Sequence, residues 1–434
     1  ICKVYQRFYD EFKDYFGTTI KAIFTDEPNP TGKGRKKRLD ARPGTRDIVP
    51  QVSRILGYDF TPFLPALWDD REPDASRLRD DYARAVKVRL EETFYAPISE
   101  WCEGHGIKLT GHPAASDDIG MLRYFQWPGQ DVVLRYLEPG NSSGLEGAHS
   151  TMGKCASSAM IHQGRWRNSN EFGGGYGHAM TYEEYRWIAL WLLVRGCNLL
   201  YPHAFYYSIR GPRVDERPRD VGPNSPWWDR YGEFADLTGK LCWLNTDSRH
   251  MCRIAILGMS DYLPWEAAKV CFESQRDFNY LTIQELMEKA TVADRAIHLA
   301  GVAYGALILE KNVQDRLSEV ERGAVEKLAQ AGIVIRWTGK EKALLDQLQE
   351  RVPAEFTLSP PTPDLRIRRV NKNGRNYMLL FNEGESDLSL RLSFSGAAAA
   401  APARLQYMDE EDEQTWQSGD ALSFSPHRVA VIAG

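Results

Sequence analysis

Two glutamates, Glu27 and Glu171, each stand at the end of a predicted strand, and two such carboxylates could carry out paired acid and nucleophilic chemistry. Three strand spacings separate them along the chain. In a closed parallel barrel they would therefore face each other across the mouth. Cleavage of a glycosidic bond requires such a pair, with one carboxyl protonated and the other ionised. The sequence thus predicts that Glu27 and Glu171 are catalytic.

Neighbouring residues predict different roles for the two glutamates. Asp26 directly precedes Glu27. The negative charge of the Asp26 carboxylate disfavours ionisation of Glu27, so Glu27 is predicted to be the acid. Glu171 follows Asn168 and Asn170, whose amide donors would keep it ionised. Glu171 is therefore predicted to be the nucleophile or the base that activates water.

Polar and aromatic residues near the other predicted strand ends are candidates for binding a sugar. Histidines and carboxylates can bond to hydroxyl groups, and aromatic faces stack on the apolar faces of sugar rings. The predicted substrate-binding residues are Asp26, His112, Trp127, Glu138, Trp166, Asn170, His203, Tyr206 and Tyr207. Ordinary core packing remains the alternative for the histidines and aromatics, and pairing with an arginine is the alternative for Glu138.

Two other kinds of function stay open at this point. Asp26, His112, Glu138 and His203 are residue types that bind metals, as in a metal-dependent hydrolase, but no HxH or HExxH spacing is present. The prediction therefore includes no metal and no cofactor. A non-catalytic carbohydrate-binding protein is the second alternative. The glycines 173–175 could cradle a phosphate, but no Lys-Ser/Thr pair follows them, which favours a tight turn.

The elements that must position these residues are short strands that alternate with helices. Strands are predicted near residues 22, 108, 134, 167 and 199, and the segment DVVLRYLEP is expected to end at Glu138. This α/β pattern predicts a (β/α)8-type TIM barrel, of which only five strands are visible. Because the chain starts within a helix and without Met, the first three βα units are expected to lie upstream. A complete five-stranded open sheet is the alternative.

Three segments of the first 250 residues resemble a known group of enzymes. The segments FTDEP, KCASSAMIHQGRWRNSNEFGGGYG and LLVRGCNLLYPHAFYYSIRGPR resemble clan-A type glycoside hydrolases. They are most similar to the rhamnosidase-like family 106, and more distantly to the family 42 β-galactosidases. The resemblance implies that Glu27 is the acid/base after the fourth strand and that Glu171 ends the seventh. The clan usually has Asn where this chain has Asp26. A glycosidase acting on plant or bacterial oligosaccharides is expected.

The rest of the chain predicts two further domains. Residues 1–250 form the predicted barrel portion and residues 251–358 a small Rossmann-like α/β domain without a GxGxxG motif. After the proline-rich segment 359–363 the pattern changes to period two, which predicts an antiparallel β-sandwich over residues 359–434. Family 42 proteins have the same domain order.

Composition and charge exclude several classes of partner. The net charge is −5, with 54 basic and 59 acidic residues, which argues against nucleic acid. The longest apolar run is too short to cross a bilayer, so no membrane partner is expected. Seven cysteines without a CxxC pair predict free thiols in a reducing, cytoplasmic compartment. A carbohydrate is the predicted partner, and a homo-oligomer is left open.

Overall fold

The computed structural model describes residues 1–30, 41–215, 220–395 and 402–434. Contacts group the chain into two compact units. The first unit comprises residues 1–114 and 124–126, and the second comprises residues 115–123 and 127–434. The predicted boundaries at residues 250 and 358 remain predictions.

Among its described residues, the first unit contains two parallel strands and four α-helices. Its elements are α1 (Tyr5–Phe12), β1 (Ala22–Thr25), α2 (Ile48–Leu56), α3 (Ala75–Leu90), α4 (Ala96–Gly104) and β2 (Lys108–Gly111). A π-helical turn, Glu91–Tyr95, joins α3 to α4. Val52, Phe60 and Leu78 lie in a buried cluster that packs α2 against α3.

The ends of β1 and β2 approach so closely that only glycine fits between them. Thr25 pairs with Gly111 in the parallel register. Gly111 has a φ of +121°, and a Cβ atom there would lie 1.9 Å from the carbonyl oxygen of Thr25. The side chains that follow both strands are therefore carried on closely spaced backbones.

The second unit begins with three parallel strands separated by helices. Its first elements are β3 (Trp127–Val132), α5 (Met152–His162), β4 (Ser169–Phe172), α6 (Tyr182–Val194), β5 (Leu199–Pro202) and α7 (Tyr231–Asn245). β4 lies between β3 and β5. α6 begins with a capping box, in which Thr181 and Glu184 bond reciprocally. Within each unit, parallel strands that alternate with helices are consistent with part of a (β/α) barrel.

The predicted position of β3 was wrong. The segment DVVLRYLEP was expected to be a strand that ends at Glu138, but β3 ends at Val132. Leu134 and Arg135 have φ angles of 54° and 57°, so the backbone leaves the extended region directly after the strand. Glu138 consequently lies in the loop beyond the strand end.

Next in the chain comes a parallel four-stranded sheet with helices between its strands. The segment 249–351, which includes this sheet, contains β6 (Arg249–His250), β7 (Ile254–Gly258), α8 (Glu266–Glu273), β8 (Asn279–Thr282), α9 (Ile283–Glu288), β9 (Thr291–Ala293), β10 (Ala296–Leu299), β11 (Val302–Tyr304), β12 (Ala306–Leu309), α10 (Lys311–Gln314), α11 (Glu319–Gln330), β13 (Val334–Arg336) and α12 (Glu341–Arg351). The parallel sheet has the order β13-β12-β7-β8, and β9 to β11 form a small antiparallel sheet.

The C-terminal region contains two antiparallel sheets. Its strands are β14 (Phe356–Ser359), β15 (Leu365–Lys372), β16 (Arg375–Asn382), β17 (Leu388–Phe394), β18 (Ala403–Tyr407), β19 (Gln414–Trp416), β20 (Ala421–Phe424) and β21 (Val429–Ala433). One sheet has the order β14-β17-β20, and the other has the order β19-β18-β21-β16-β15-β6. The change to period two in the sequence therefore predicted antiparallel strands correctly.

A buried charge cluster joins α6 to β15 and to the residue that follows β16. Glu383 accepts hydrogen bonds from Nη1 and Nη2 of Arg195, at 2.7 and 3.2 Å. Nε of Arg366 lies 3.1 Å from Oε1 of the same carboxylate. Burial alone would raise the pKa of Glu383, but these two guanidinium groups lower it below its ordinary value. The cluster thus holds a stable negative charge between two cations.

All seven cysteines are free thiols, as the sequence predicted. Five of them are buried, and burial raises the pKa of Cys252 to about 12, so this thiol is unreactive. In the described part of the chain, no helix combines the length and apolar character that spanning a bilayer requires.

Candidate active site

Glu171 lies at the C-terminal end of β4, beside a second carboxylate. In the parallel register Glu171 is paired with Asp131 on β3 and with Tyr201 on β5. Residues paired in register on neighbouring strands project from the same side of a sheet. Three polar side chains therefore form one row across the strand ends, and two of them are acidic.

His203 stands next to this row, one residue beyond the end of β5. Its Nε2 atom lies 3.9 Å from Oε1 of Glu171. Its Nδ1 atom is buried and has no hydrogen-bond partner among the described residues. The ring of Tyr206 meets the imidazole nearly edge on, with the centroids 6.1 Å apart. The imidazole of His203 thus lies close to the carboxylate of Glu171, and the ring of Tyr206 packs beside that imidazole.

The glycines after β4 form a turn that the imidazole of His203 packs against. The N–H of Gly173 donates to the carbonyl of Val132 at 2.9 Å, and the N–H of Leu134 donates to the carbonyl of Gly174 at 2.8 Å. A Cβ atom at Gly174 would lie 3.0 Å from Cγ of His203. These bonds support the predicted turn, and the missing side chain leaves room for the imidazole.

A buried aspartate holds the loop after β5. Oδ1 of Asp220 accepts from the backbone N–H groups of Tyr206 and Gly222, at 3.2 and 2.9 Å. Oδ2 accepts from the amide of Asn224 at 2.7 Å. The Asp220 carboxylate therefore fixes the backbone that carries Tyr206, whereas the side chain of Tyr207 is 99% exposed.

In the first unit, Glu27 and His112 follow the two parallel strands. Glu27 has a φ of 37°, in the left-handed region, directly before Pro28. A non-glycine residue in this region is unusual and is often part of a functional site. His112 is buried, with its ring 5.8 Å from that of Phe24. Its Nδ1 lies 3.3 Å from the carbonyl oxygen of Pro113. Asp26, beside Glu27, is exposed.

Glu138 does not lie at a strand end. Nη1 of Arg135 donates to Oε1 of Glu138 at 2.7 Å and also lies 3.2 Å from Glu184. The chain leaves β3 before it reaches Glu138, and the Glu138 carboxylate pairs with Arg135. Pairing with an arginine was the alternative to sugar binding for this residue. Asp131 is the acidic residue at the end of β3. It was not predicted, because it lies next to the apolar residues of the segment DVVL.

Trp127 and Trp166 were expected near the predicted catalytic residues, but the structure places them elsewhere. Trp127 begins β3, and Trp166 precedes β4. At a rise of 3.3 Å per residue, Trp127 lies roughly 13 Å along its strand from Asp131. The two indoles pack edge to face with centroids 5.8 Å apart, and Arg167 covers Trp166 at 5.0 Å. Both indoles therefore lie at the N-terminal edge of the strands.

Asn170 lies on the opposite side of β4 from Glu171, because successive side chains of a strand alternate. Its amide donates to Oδ1 of Asn168 at 3.2 Å and to Sγ of Cys197 at 3.0 Å. Asn168 in turn donates to the carbonyl of Gly196 at 2.8 Å. The expectation that these amides would hold the Glu171 carboxylate ionised was therefore wrong.

No protein-family model and no curated protein matches this chain. Among solved structures, it is similar to the rhamnosidase from Novosphingobium sp. PP1Y, with a TM-score of 0.67 and 14% identity over 90% of this chain. The chain spans 43% of that rhamnosidase.

Two β-galactosidases are also similar in structure. A catalytic mutant of the GH42 β-galactosidase Gan42B from G. stearothermophilus gives a TM-score of 0.61 and 9% identity over 89% of this chain and 75% of that one. The β-galactosidase from Bacillus circulans sp. alkalophilus gives a TM-score of 0.56 and 12% identity over 81% of this chain and 67% of that one. The predicted resemblance to clan-A type glycoside hydrolases is thus confirmed at the level of the fold.

Proposed function

We propose that the chain is part of a glycoside hydrolase in which Glu27 and Glu171 are the catalytic carboxylates. One observation carries the proposal: Glu171 ends a parallel strand, with Asp131 and Tyr201 in register beside it and His203 3.9 Å away. The fold shared with a rhamnosidase and β-galactosidases supports it. In this proposal, a Rossmann-like domain over residues 251–358 and a β-sandwich over residues 359–434 follow the barrel portion.

The proposed reaction breaks the bond between the anomeric carbon and the glycosidic oxygen. Glu27 donates its proton to that oxygen, so that the leaving group departs as an alcohol. Glu171 either attacks the anomeric carbon or removes a proton from the water that attacks it. In the first case, water later releases the sugar, and Glu27, now ionised, takes the proton from that water.

Glu27 is proposed as the acid on grounds from its own unit. Its left-handed backbone, with a φ of 37° before Pro28, fixes the direction in which the side chain leaves the loop. Pro28 restricts the backbone of the residue before it, which limits the ways the loop can rearrange. A restricted backbone lowers the entropy that the loop loses when the Glu27 carboxyl meets the glycosidic oxygen.

The sugar is proposed to contact Asp131, His203 and Tyr206. The carboxylate of Asp131 can accept hydrogen bonds from two hydroxyl groups. Nε2 of His203, 3.9 Å from Oε1 of Glu171, can bond to a hydroxyl group that lies beside this carboxylate. Tyr206 offers a half-buried ring for stacking. Asp131 thus takes the place that the sequence analysis gave to Glu138.

A panel of 4-nitrophenyl glycosides tests the proposal. The panel includes the α-L-rhamnoside and the β-D-galactoside, because a rhamnosidase and β-galactosidases share the fold. We expect release of nitrophenol from at least one glycoside, and NMR of the first sugar released assigns retention or inversion. Binding of a sugar without any turnover across the panel would support the non-catalytic alternative and contradict the proposal.

A further inference from the structure

A cleft made of two adjacent cavities lies along α7. One cavity faces the six-stranded antiparallel sheet, and the other is lined by α6 and by the loop residues 408–411 and 425–428. The cavities have volumes of about 620 and 530 Å³ and share Lys240, Gln406 and Met408 in their walls. Each volume falls in the range of about 300–1,000 Å³ that is typical of small-molecule sites. Two adjacent cavities that share wall residues suit an extended ligand better than a compact one.

The floor of the 530 Å³ cavity is hollow because of the residues in its middle strand. Ala433 on β21 pairs with Tyr377 on β16 and with Arg404 on β18, so two long side chains flank a methyl group. In the next row of this face, Val431 is paired with Gln406. Side chains at alternate positions share one face of a sheet, so both rows open into the cleft.

An exposed tryptophan on α7 forms the opposite wall. The side chain of Trp243 is 56% exposed, which is a large apolar surface to leave in water. The ammonium group of Lys372 lies 4.7 Å from its ring centroid, and the ring of Tyr377 meets it edge on at 6.4 Å. These contacts hold the indole in place. Gly239, one turn earlier, leaves open space, because a Cβ atom there would meet nothing within 4 Å.

Charges of both signs line the cleft. Nη1 of Arg404 pairs with Glu413 at 2.8 Å beside the aromatic wall. In the 620 Å³ cavity, Nη1 of Arg230 lies 3.2 Å from Glu183, and Nε of Arg428 lies 3.0 Å from Asp409. A polyanion would require an excess of basic groups, and a purely apolar peptide would leave these ions unsolvated. Because these arginines and carboxylates balance one another in pairs, they suit a neutral ligand whose hydroxyl groups can both donate and accept hydrogen bonds.

We propose that this cleft is a second carbohydrate site, which binds a stretch of neutral polysaccharide with one sugar ring against Trp243. The indole supplies the apolar face, and Tyr377 the adjoining edge. Arg404, Glu413 and Gln406 bond to hydroxyl groups along the chain. The site goes beyond the proposed hydrolysis, with which it shares only the class of ligand.

Affinity electrophoresis tests the proposal with named polymers. The protein migrates through native gels that contain galactan, xyloglucan or, as an anionic comparison, alginate. The Glu171→Gln background is used so that no polymer is cleaved. We expect galactan or xyloglucan to retard the protein. Trp243→Ala, which removes the platform, and Ala433→Phe, which fills the hollow, should each abolish the retardation. Circular dichroism of each variant checks its fold.

Trp68→Ala is the matched control, because Trp68 is 51% exposed but lies in the first unit, outside the cleft. It should be retarded as strongly as the parent. Retardation by alginate alone, no retardation by any polymer, or full retardation of the Trp243→Ala variant would overturn the proposal. If the unmodified chain hydrolyses a glycoside but no polymer retards the protein, the carbohydrate site in the cleft is rejected and the proposed function stands. If a polymer retards the protein but no glycoside is hydrolysed, the proposed function is rejected and the site in the cleft stands.

Discussion

Nε2 of His203 lies 3.9 Å from Oε1 of Glu171, and both residues belong to neighbouring parallel strand ends. The distance is too long for a direct hydrogen bond but leaves the imidazole against the carboxylate. The turn at Gly173 and Gly174 leaves room for the imidazole. Gly174 therefore determines how closely the imidazole can pack beside the Glu171 carboxylate.

Substituting Gly174 by alanine should impair turnover through this contact. The added Cβ atom would lie 3.0 Å from Cγ of His203, so the imidazole must move by a few tenths of an ångström. We expect a roughly tenfold to hundredfold loss of kcat, because small misplacements at a reacting centre are costly. The control is Gly232→Ala, where a Cβ atom meets nothing within 4 Å. Equal kinetics for the two variants would show that the imidazole position is unimportant.

Asp131→Asn should weaken substrate binding. The amide keeps one acceptor but loses the charge that strengthens hydrogen bonds from sugar hydroxyls. We expect KM for the best aryl glycoside to rise roughly tenfold, which corresponds to about 1.4 kcal/mol. Steady-state kinetics measures this effect. An unchanged KM would remove Asp131 from the proposed site.

Glu383→Gln should destabilise the chain. It leaves the buried guanidinium groups of Arg195 and Arg366 without their countercharge, which costs about 3–5 kcal/mol. Urea denaturation measures the free energy of unfolding. Glu385→Gln, which removes an exposed carboxylate 2.8 Å from His427, should cost about 0–1 kcal/mol. Equal losses in both variants would contradict the importance of burial.

The carboxyl group of Glu310 should make stability depend on pH. Burial raises its pKa from 4.5 to about 7, while its Oε1 accepts from the N–H of Ala267 at 2.8 Å. A carboxyl group whose folded pKa is raised contributes stability that is fully present below pH 4.5. This stability is lost as the pH rises through 7.

The glutamine of the Glu310→Gln variant cannot ionise. The free energy of unfolding of this variant, relative to that of the unmodified chain, should therefore increase between pH 4.5 and 7. The increase should reach about 3 kcal/mol, since each pKa unit corresponds to about 1.4 kcal/mol. Chemical denaturation at several pH values gives both curves. Two parallel curves would show that Glu310 ionises in the folded chain at its ordinary pKa.

Strand ends that carry a clear polarity change could be predicted from the sequence. Glu171 follows a short strand and precedes three glycines, so both its strand and its position were evident. His203 follows the apolar segment CNLLYP in the same way. In each case the turn chemistry marks where the strand stops.

The end of β3 could not be predicted, because local patterning there suggests a different strand. The residues DVVLRYL alternate well enough for a strand, yet Leu134 and Arg135 turn into the left-handed region. Pro128 and Gly129, which suggest a turn, lie inside β3. Asp131 was missed for this reason, and tertiary pairing with β4 overrides the local preference.

The aromatic residues show a second limit of sequence reasoning. Proximity in sequence placed Trp166 beside Glu171, but the strand direction carries it to the opposite edge. Trp243, the exposed indole on α7, gives no signal in the sequence, because only tertiary packing leaves it uncovered.

Turnover of the Glu171→Gln variant tests the central claim most directly. Glutamine keeps the shape of the side chain but can neither attack an anomeric carbon nor accept a proton from water. The matched control is Glu138→Gln, a carboxylate engaged by Arg135 in the loop after β3. With a glycoside that the unmodified chain hydrolyses, Glu171→Gln should reduce kcat roughly 1,000-fold or more, while Glu138→Gln should stay within about threefold. Near-normal turnover by a folded Glu171→Gln variant would contradict the proposed mechanism.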